Sequence, residues 1–362
     1  MNRLFLCNLD MEIYGGSHDE KIGVRISGLP AGERIDTDAL KSFLARRAPG
    51  STKYGTQRKE ADLPHFLSGV DDGVLSGEML EAVIYNTNMR SGDYPAIPDV
   101  PRPSHADFAA IQKYGDGVDL RGGGHFSGRL TAPLCIVGGI ALQILARLGI
   151  RIGAHIASVG DVQDTPFDPL EVSAADFETV LSHDFPVMDP AAGERMKARI
   201  DGARMDSDSI GGVIECAVTG LKPGLGEHMF WGMENRISHL IFGVPGVKGI
   251  EFGTGFGIAK MRGSQANDPF ATDGERIFTT SNHSGGIQGG MTNGMPLIFR
   301  CAIKPTPSIG MEQNSVSLSR MENTKLVIGG RHDPCIAPRA VPVIEAVAAL
   351  AILDAMLDPT IL

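Results

Sequence analysis

The chain has 362 residues, of which 42% are apolar and 21% are charged, as in globular proteins and unlike disordered, coiled-coil or collagen-like chains. The net charge of −10 argues against a nucleic-acid or anionic-membrane binder, so a local basic cluster must hold any anionic ligand. Five scattered cysteines without a C-x-x-C pair argue against a disulfide framework and favour a cytoplasmic location. Glycine is frequent, with 46 residues, which predicts tight turns and binding loops built from backbone.

The first third of the chain shows two strand patterns and two helix patterns. Alternating apolar residues predict strands over Ile22–Ser27 and Leu80–Tyr85. Thr37 is the expected N-cap of a helix that runs through Arg47, and a second helix is expected over Asp107–Tyr114. The polar and basic stretch Pro49–Asp62 between them is predicted to be a loop.

Two segments, Leu130–Ile150 and Ala340–Leu357, are apolar enough to raise the question of a membrane span. Each is interrupted by two polar or charged residues, and neither is flanked like a membrane anchor. We therefore predict buried helices over Ala132–Leu148 and Pro338–Leu357. A glycine loop, Arg121–Gly124, precedes the first of them.

The remaining patterns predict strands over Ile152–Val159, Gly212–Thr219 and Leu297–Ile303, with a helix over Met233–Phe242. Gly243–Gly294 is dense in Gly, Asn and Ser and is predicted to be mostly loop, which usually marks a binding site. Strands and helices do not alternate regularly, and no linker divides the chain. We therefore expect one α+β domain over residues 1–362, with antiparallel sheets.

A basic cluster lies at the end of the first predicted helix and in the loop after it. It consists of Arg46, Arg47, Lys53, Arg58 and Lys59. Several guanidinium groups suit a polyanionic small molecule, because each binds phosphate or carboxylate through two hydrogen bonds. A solvated surface loop explains the same pattern equally well, and the sequence leaves both interpretations open.

Two glycine-rich loops, RGGGHFSGR (Arg121–Arg129) and NHSGGIQGG (Asn282–Gly290), are further candidates for anion binding. Successive backbone N–H groups in such turns can form a concave anion site, although tight turns alone also explain the glycines. Neither loop fits the dinucleotide fingerprint or the phosphate-binding P-loop, so an NAD(P)-dependent oxidoreductase is not favoured.

Three histidines stand in polar loops: His18 in YGGSHDE, His105 in PRPSHAD, and His332 beside Asp333. A single histidine most often has a structural role, but one near arginine is a credible proton donor at neutral pH. His332, Asp333 and Cys335 lie together without a second ligand cluster, so no metal site is predicted.

Longer segments carry a resemblance to a known family. They include PRPSHADFAAIQKYG, RGGGHFSGRLTAPL, GVKGIEFGTGFG, SNHSGGIQGGMTNGMPL and GRHDPCIAPRAVPVIEA. In this order, and from about Met11 to Leu357, they resemble chorismate synthase. The resemblance implies an α+β sandwich with a core of two antiparallel β-sheets surrounded by helices, long glycine-rich active-site loops, and a homotetramer.

The family converts 5-enolpyruvylshikimate 3-phosphate to chorismate and phosphate by a 1,4-anti elimination, the last common step of the shikimate pathway to aromatic amino acids. The resemblance therefore implies a carbon–oxygen lyase acting on phosphates that requires reduced FMN without net redox change. We expect a small-molecule substrate and no nucleic-acid or membrane partner. Because no additional domain for NADPH-dependent flavin reduction is visible, an external flavin reductase is the expected source of reduced FMN.

The resemblance also implies roles for individual residues. His18 matches the acid that protonates the leaving phosphate, His105 the acid near the flavin N1/O2 edge, and Asp333 the residue that removes the C6 proton. The residues that match substrate contacts are Ser17, Arg47, Lys53, Ser127, Arg129 and Arg331. The residues that match flavin contacts are His125, Phe126, Ser127, Asn282, Gly289, Lys304, Pro305, Thr306, Pro307, Ser308 and Arg331.

Two segments depart from the family pattern. The chain has YGGSHD at Tyr14–Asp19 where FGESHG is usual, and HFSGRLT at His125–Thr131 where RSSARET is usual. Asp19 beside His18 is expected to favour the protonated histidine, which suits an acid. The departures also leave an alternative open, a catalytically degenerate flavin-binding protein of the same fold.

Overall fold

The computed structural model describes residues 3–50, 61–86, 98–329 and 333–358, except for the side chain of Asp116. The strands of the described residues are β1 (Arg3–Phe5), β2 (Asp10–Tyr14), β3 (Lys21–Ser27), β4 (His65–Ser68), β5 (Val70–Asp71), β6 (Val74–Leu75), β7 (Leu80–Tyr85), β8 (Arg151–Val159), β9 (Val162–Gln163), β10 (Gly212–Thr219), β11 (Val247–Phe252), β12 (Phe270–Thr272), β13 (Ile277–Thr279), β14 (Ile287–Gln288), β15 (Met291–Thr292), β16 (Leu297–Ile303), β17 (Gln313–Ser317) and β18 (Glu322–Leu326). The helices are α1 (Thr37–Arg47), α2 (Asp107–Tyr114), α3 (Thr131–Arg147), α4 (Ala174–Ser182), α5 (Pro190–Met205), α6 (Met233–Ile241), α7 (Gly263–Ala266) and α8 (Ala337–Met356).

Two five-stranded antiparallel sheets confirm the predicted α+β class. The first has the strand order β1-β2-β3-β7-β4, and the second has the order β11-β16-β10-β8-β9. The predicted strands over Leu80–Tyr85, Gly212–Thr219 and Leu297–Ile303 are found with those bounds. In β10, the side chains on both faces are buried, so the second sheet is covered on both sides.

The two apolar segments form α3 and α8, as predicted, and these helices lie between the sheets. Helix α3 packs on β3 and β7 of the first sheet and on α8, which packs on β8 and β10 of the second. Gly138 permits this close helix contact, because a Cβ there would lie 2.3 Å from the Cβ of Ala346. The sheets are expected to be surrounded by helices. In the structure, α3 and α8 also lie between the two sheets.

One helical segment within the described ranges, Gly128–Arg147, has the length and composition of a membrane span. In the structure, 83% of its apolar window is buried inside the protein. This burial is the property of a core helix, as the sequence predicts for this segment.

The charged residues that interrupt α8 are paired within the core. Glu345 accepts two hydrogen bonds from Arg46, at 2.6 and 2.8 Å, and Asp354 is 2.7 Å from the guanidinium of Arg236. Arg46 therefore does not belong to an anion-binding loop, in contrast to one of the two interpretations of the basic cluster. Both carboxylates are nearly inaccessible to solvent, and the ion pairs offset the cost of burying them.

One local prediction is wrong: helix α1 begins at Thr37, but its N-cap is Asp36, whose carboxylate accepts hydrogen bonds from the amides of Asp38 and Ala39. The segment Gly243–Gly294 is mostly loop, as predicted, but it also contains β11 to β15 and α7. These strands are short and pair with close neighbours in hairpins, or with β16, so their alternation is too brief to detect in the sequence.

Candidate active site

A cavity of about 710 Å³ lies where distant segments of the chain meet. This volume is within the range of small-molecule sites. Its walls come from residues 47–49, 102–106, 122–131, 242–248, 304–308 and 333–343. The lining includes apolar side chains, among them Val244, Ile336 and Val343, together with most of the charged residues described below.

The RGGG segment passes between the two histidines in which the sequence predicts proton donors. A Cβ on Gly122 would lie 2.3 Å from Nε2 of His18, and a Cβ on Gly123 would lie 3.4 Å from Nε2 of His105. Both glycines have left-handed φ angles, of 56° and 99°, which side chains other than glycine rarely adopt. The glycines therefore allow both imidazole rings to approach one stretch of backbone.

His18 does not line the cavity, but its ring lies close to Gly122, which does. Ser17 before it is buried and donates its hydroxyl proton to the carbonyl of Arg121 at 3.0 Å. The hydrogen bond from Arg121 lowers the pKa of Asp119, and the positive charge of His18 contributes to the same shift. Asp119, which the sequence did not single out, is thus an acid whose charge acts on His18, whereas the Asp19 carboxylate packs against Gly16.

His105 forms a dyad with a buried carboxylate. Its Nδ1 lies 2.8 Å from Oδ1 of Asp107, and the Nε and Nη2 atoms of Arg102 each lie 2.7 Å from an oxygen of the same carboxylate. Burial opposes the ionisation of Asp107, but the hydrogen bonds from Arg102 and His105 outweigh it and hold the pKa well below its usual range. The sequence missed Asp107 and Arg102, although both stand within the PRPSHAD segment.

The loop that carries His105 is fastened at several points. Lys304 donates to the carbonyl of Ser104 at 2.5 Å, and Ser315 donates to the carbonyl of Pro101 at 2.6 Å. Ser104 has a left-handed φ of 57°, a strained conformation for a non-glycine residue. Contacts from distant parts of the chain therefore maintain the local backbone that orients the imidazole.

Three arginines that line the cavity and two carboxylates that they bind form a second group, here named the arginine cluster: Arg47, Arg129, Arg339, Asp62 and Asp333. Arg47 and Arg129 bind opposite oxygens of buried Asp62, the former at 2.7 Å, and Arg339 lies 2.8 Å from Oδ2 of Asp333. Burial opposes ionisation of Asp62, but the two arginines lower its pKa. Arginine guanidinium groups bind phosphate and carboxylate through paired hydrogen bonds, so this part of the cavity suits an anionic ligand.

Two polar atoms of the cavity-lining residues have no hydrogen-bond partner among the described residues. They are Oδ1 of Asp333 and Oγ1 of Thr306, both buried. Buried polar atoms in folded proteins nearly always find a partner, so these two suggest contacts with a ligand. Within the described ranges, no group of three or more His, Cys, Asp or Glu side chains has a metal-binding arrangement.

Most of the residues that the resemblance singled out lie in the cavity wall. They are Arg47, His105, His125, Phe126, Ser127, Arg129, Lys304, Pro305, Thr306, Pro307, Ser308 and Asp333. Ser17, His18, Asn282 and Gly289 do not line the cavity. Lys53 and Arg331, like Arg58, Lys59 and His332, lie outside the described residues.

Asn282 has a visible structural role in its own loop. Its amide nitrogen donates to the carbonyls of Pro169 and Pro296, at 2.8 and 2.9 Å, and its amide oxygen accepts from the backbone of Gly286 at 2.6 Å. These contacts hold the second glycine-rich loop against the chain. A flavin contact by Asn282 stays a prediction.

Fold and cavity together define a class of protein. The cavity combines the arginines of the arginine cluster, a histidine–carboxylate dyad, a carboxylate oxygen without a partner among the described residues, and apolar lining residues. These are the features of an enzyme that binds an anionic small molecule and moves protons on it.

Comparisons with known proteins give the family. The family model of chorismate synthase matches residues 9–357. The chain is 46% identical to the chorismate synthase of Lancefieldella parvula, with 98% of this chain and 96% of the relative covered, and 42% identical to that of Thermococcus kodakarensis, with 96% of each covered. A crystal structure of chorismate synthase superposes with a TM-score of 0.77 at 27% identity, covering 98% of this chain and 93% of the other. The chain belongs to the chorismate synthase family.

Proposed function

We propose that this protein catalyses the elimination of phosphate from 5-enolpyruvylshikimate 3-phosphate to give chorismate, with reduced FMN as cofactor, as a carbon–oxygen lyase. In this reaction the bond between C3 and the phosphate oxygen breaks, the C6 proton leaves, and a second ring double bond forms. The observation that carries the proposal is the convergence of His105, Asp333 and the arginine cluster on one cavity. A substrate with a phosphate and two carboxylates needs such a basic wall.

The cavity walls fit a flavin beside the substrate. The apolar surface of Val244, Ile336 and Val343 suits a planar ring system, and Thr306 offers an unpartnered hydroxyl next to Lys304. When bound, reduced FMN supplies electron density that assists departure of the allylic phosphate and takes it back, so that no net redox change results.

We assign proton transfer and the binding of the substrate's anionic groups to separate residues of the chain. Asp333 accepts the C6 proton on its unpartnered oxygen, and His18, which lies beside Gly122, donates a proton to the leaving phosphate. His105 presents Nε2 to the flavin edge. The guanidinium groups of Arg47, Arg129 and Arg339 hold the anionic groups of the substrate. The carboxylate of Asp62 pairs with both Arg47 and Arg129, which reduces the repulsion between these two buried cations.

An anaerobic assay with 5-enolpyruvylshikimate 3-phosphate and chemically reduced FMN tests the proposal through chorismate absorbance. We expect product only when reduced FMN is present. Tight FMN binding without product would overturn the proposal and favour the degenerate flavin-binding alternative.

The proposed assembly is a homotetramer. Large apolar side chains are exposed between residues 229 and 277, namely Met229, Phe230, Trp231, Phe256, Phe270 and Ile277. Such exposure is typical of surfaces that pack against other chains. Because Asn282 and Gly289 do not line the cavity, their proposed flavin contacts would require a second copy. Light scattering should give the mass of four chains, and a monomer that retains full activity would contradict the assembly.

We also propose a cytoplasmic enzyme that takes reduced FMN from a separate flavin reductase. Four of the five cysteines are buried, and all five are free thiols, as is typical of a reducing compartment. The purified protein should therefore not oxidise NADPH in the presence of FMN. Sustained NADPH oxidation would instead show that the chain reduces its own flavin.

A further inference from the structure

We propose that Asp107, held by Arg102, is a positioning residue that fixes the tautomer of His105, so that Nε2 is the nitrogen that exchanges protons in the cavity. The inference rests on the proposed function for the reaction that His105 serves. The tautomer itself is a property of the protein alone. It can therefore be measured whether or not chorismate is formed.

The first step is that both oxygens of the Asp107 carboxylate are occupied by hydrogen-bond donors. Its Oδ1 contacts Nη2 of Arg102 at 2.7 Å and Nδ1 of His105 at 2.8 Å. Its Oδ2 accepts from Nε of Arg102 at 2.7 Å and from the backbone amide of Arg102 at 3.0 Å. The residue is fully buried, so no water competes for these positions.

The second step follows from the chemistry of an ionised carboxylate, which only accepts hydrogen bonds. Arginine only donates, so the other neighbour, Nδ1 of His105, must carry a hydrogen to bind Oδ1. In the neutral imidazole this leaves Nε2 without a hydrogen. Nε2 faces the RGGG segment at the cavity wall, where it can take up and return a proton.

The third step concerns charge. The guanidinium of Arg102 binds both oxygens of Asp107 and also lies 3.2 Å from Nδ1 of His105. The negative charge of Asp107 is therefore largely compensated at the point where it meets the imidazole. Asp107 acts on His105 mainly through hydrogen-bond direction, and much less as a counter-charge.

These contacts predict what Asp107→Asn does. The amide nitrogen of asparagine has to replace one oxygen, and both oxygens face donors. In place of Oδ2 the amide nitrogen would face two N–H groups of Arg102, which cannot become acceptors. In place of Oδ1 it would face only one, Nη2, together with Nδ1 of His105, which can become an acceptor. The amide nitrogen therefore turns toward His105, Nδ1 loses its hydrogen in the neutral ring, and Nε2 carries it.

The experiment is ¹⁵N NMR of the apoprotein with ¹⁵N-labelled histidine rings, at a pH high enough that His105 is neutral. We expect wild-type His105 to have a protonated Nδ1 and an unprotonated Nε2, and Asp107→Asn to exchange the two signals. Turnover of the variant should fall by about 10- to 100-fold, with a changed pH profile and little change in substrate KM. Asp107→Glu, which restores an acceptor, should recover the Nδ1–H tautomer.

Asp354→Asn is the matched control, because Asp354 is equally buried and also paired with an arginine, but does not contact His105. It should leave the His105 signals and the pH profile of turnover unchanged. An Nε2–H tautomer in the wild type overturns the inference, even if no Asp107 variant folds. So does an unchanged tautomer in a folded Asp107→Asn. If no chorismate is formed by the wild type, the proposed function fails, while the tautomer result still decides the inference.

Discussion

The arginine cluster and the surroundings of His155 both bury several charges, but only the arginine cluster has residues that line the cavity. His155 is fully buried in β8, with Nδ1 2.8 Å from Asp164 and Nε2 3.0 Å from Glu215. Burial opposes its protonation, but the two carboxylates outweigh burial and raise the pKa. The imidazolium thus has an acceptor at each nitrogen.

The carboxylates around His155 are also used to hold backbone. Asp164 accepts from the amides of Met188 and Asp189, and Glu215 accepts from the amide of Phe167. The three arginines of the arginine cluster, by contrast, line a cavity. The comparison teaches that buried charge indicates a ligand site where a cavity gives access to it.

The largest expected effect is a loss of turnover when a histidine of the candidate site, but not another histidine, is replaced by alanine. His18→Ala and His105→Ala should each lower turnover by about 10²- to 10⁴-fold, because each removes a proton donor, while FMN binding remains measurable. Stopped-flow turnover and FMN titration would measure this. His228→Ala is the control, since that side chain is 80% exposed, and it should be silent. Wild-type turnover in both site variants would refute the assigned roles.

Removing one carboxylate from each group sharpens the comparison. Asp62→Asn and Glu215→Gln should each destabilise the protein by about 3–5 kcal/mol, because each removes the negative charge of a carboxylate that buried cations contact. Inorganic phosphate should partly restore the melting temperature of Asp62→Asn, since an anion can enter the cavity and replace the lost charge. It should not do so for Glu215→Gln, and equal rescue of both variants would contradict the distinction.

A pH titration of stability separates the groups further. The raised pKa of His155 contributes stability that is fully present below the unfolded value of about 6.5 and is lost as pH rises through the folded pKa. The lowered pKa of Asp62 contributes stability that is present above the unfolded value of about 3.9 and is lost as pH falls through the folded pKa. Denaturant unfolding at pH 6 to 9 should show an alkaline decline in the wild type. His155→Gln should flatten this decline, whereas Asp62→Asn should keep it.

The smallest effect is expected from Lys304 at the cavity wall. Burial lowers the pKa of its ammonium group, and the nearby charge of Lys248 acts in the same direction. Lys304→Met should weaken FMN binding by about tenfold, as for the loss of a charged hydrogen bond, and should reduce its salt dependence. Isothermal titration at two salt concentrations would measure both. Lys41→Met, on the exposed side of α1, should change neither.

Much of the fold could be predicted because its signals are local. The strands over Leu80–Tyr85, Gly212–Thr219 and Leu297–Ile303 combine apolar residues with clear boundaries, and α3 and α8 are long and apolar. Helices α4 (Ala174–Ser182) and α5 (Pro190–Met205) were not predicted. Helix α5 has only four buried residues in sixteen, so its apolar stripe is too thin to stand out.

The candidate site was predictable where motifs carried a family resemblance, and not where a partner lay elsewhere in the chain. His105, Arg129 and Asp333 were found in this way. Asp62 was treated only as the end of a loop, because nothing local shows that two distant arginines converge on it. Asp119 and Arg339 were missed for the same reason.

The neighbouring residues Arg46 and Arg47 show which properties the sequence determines and which depend on the tertiary structure. Composition and helix pattern by themselves determined that both lie in the last turn of α1. Only the tertiary structure decided their roles, because successive side chains on a helix point about 100° apart and meet different neighbours. Arg46 reaches Glu345 in α8, whereas Arg47 reaches Asp62 and the cavity wall. Arginine thus neutralises a core carboxylate at position 46 and supplies positive charge to the candidate site at position 47.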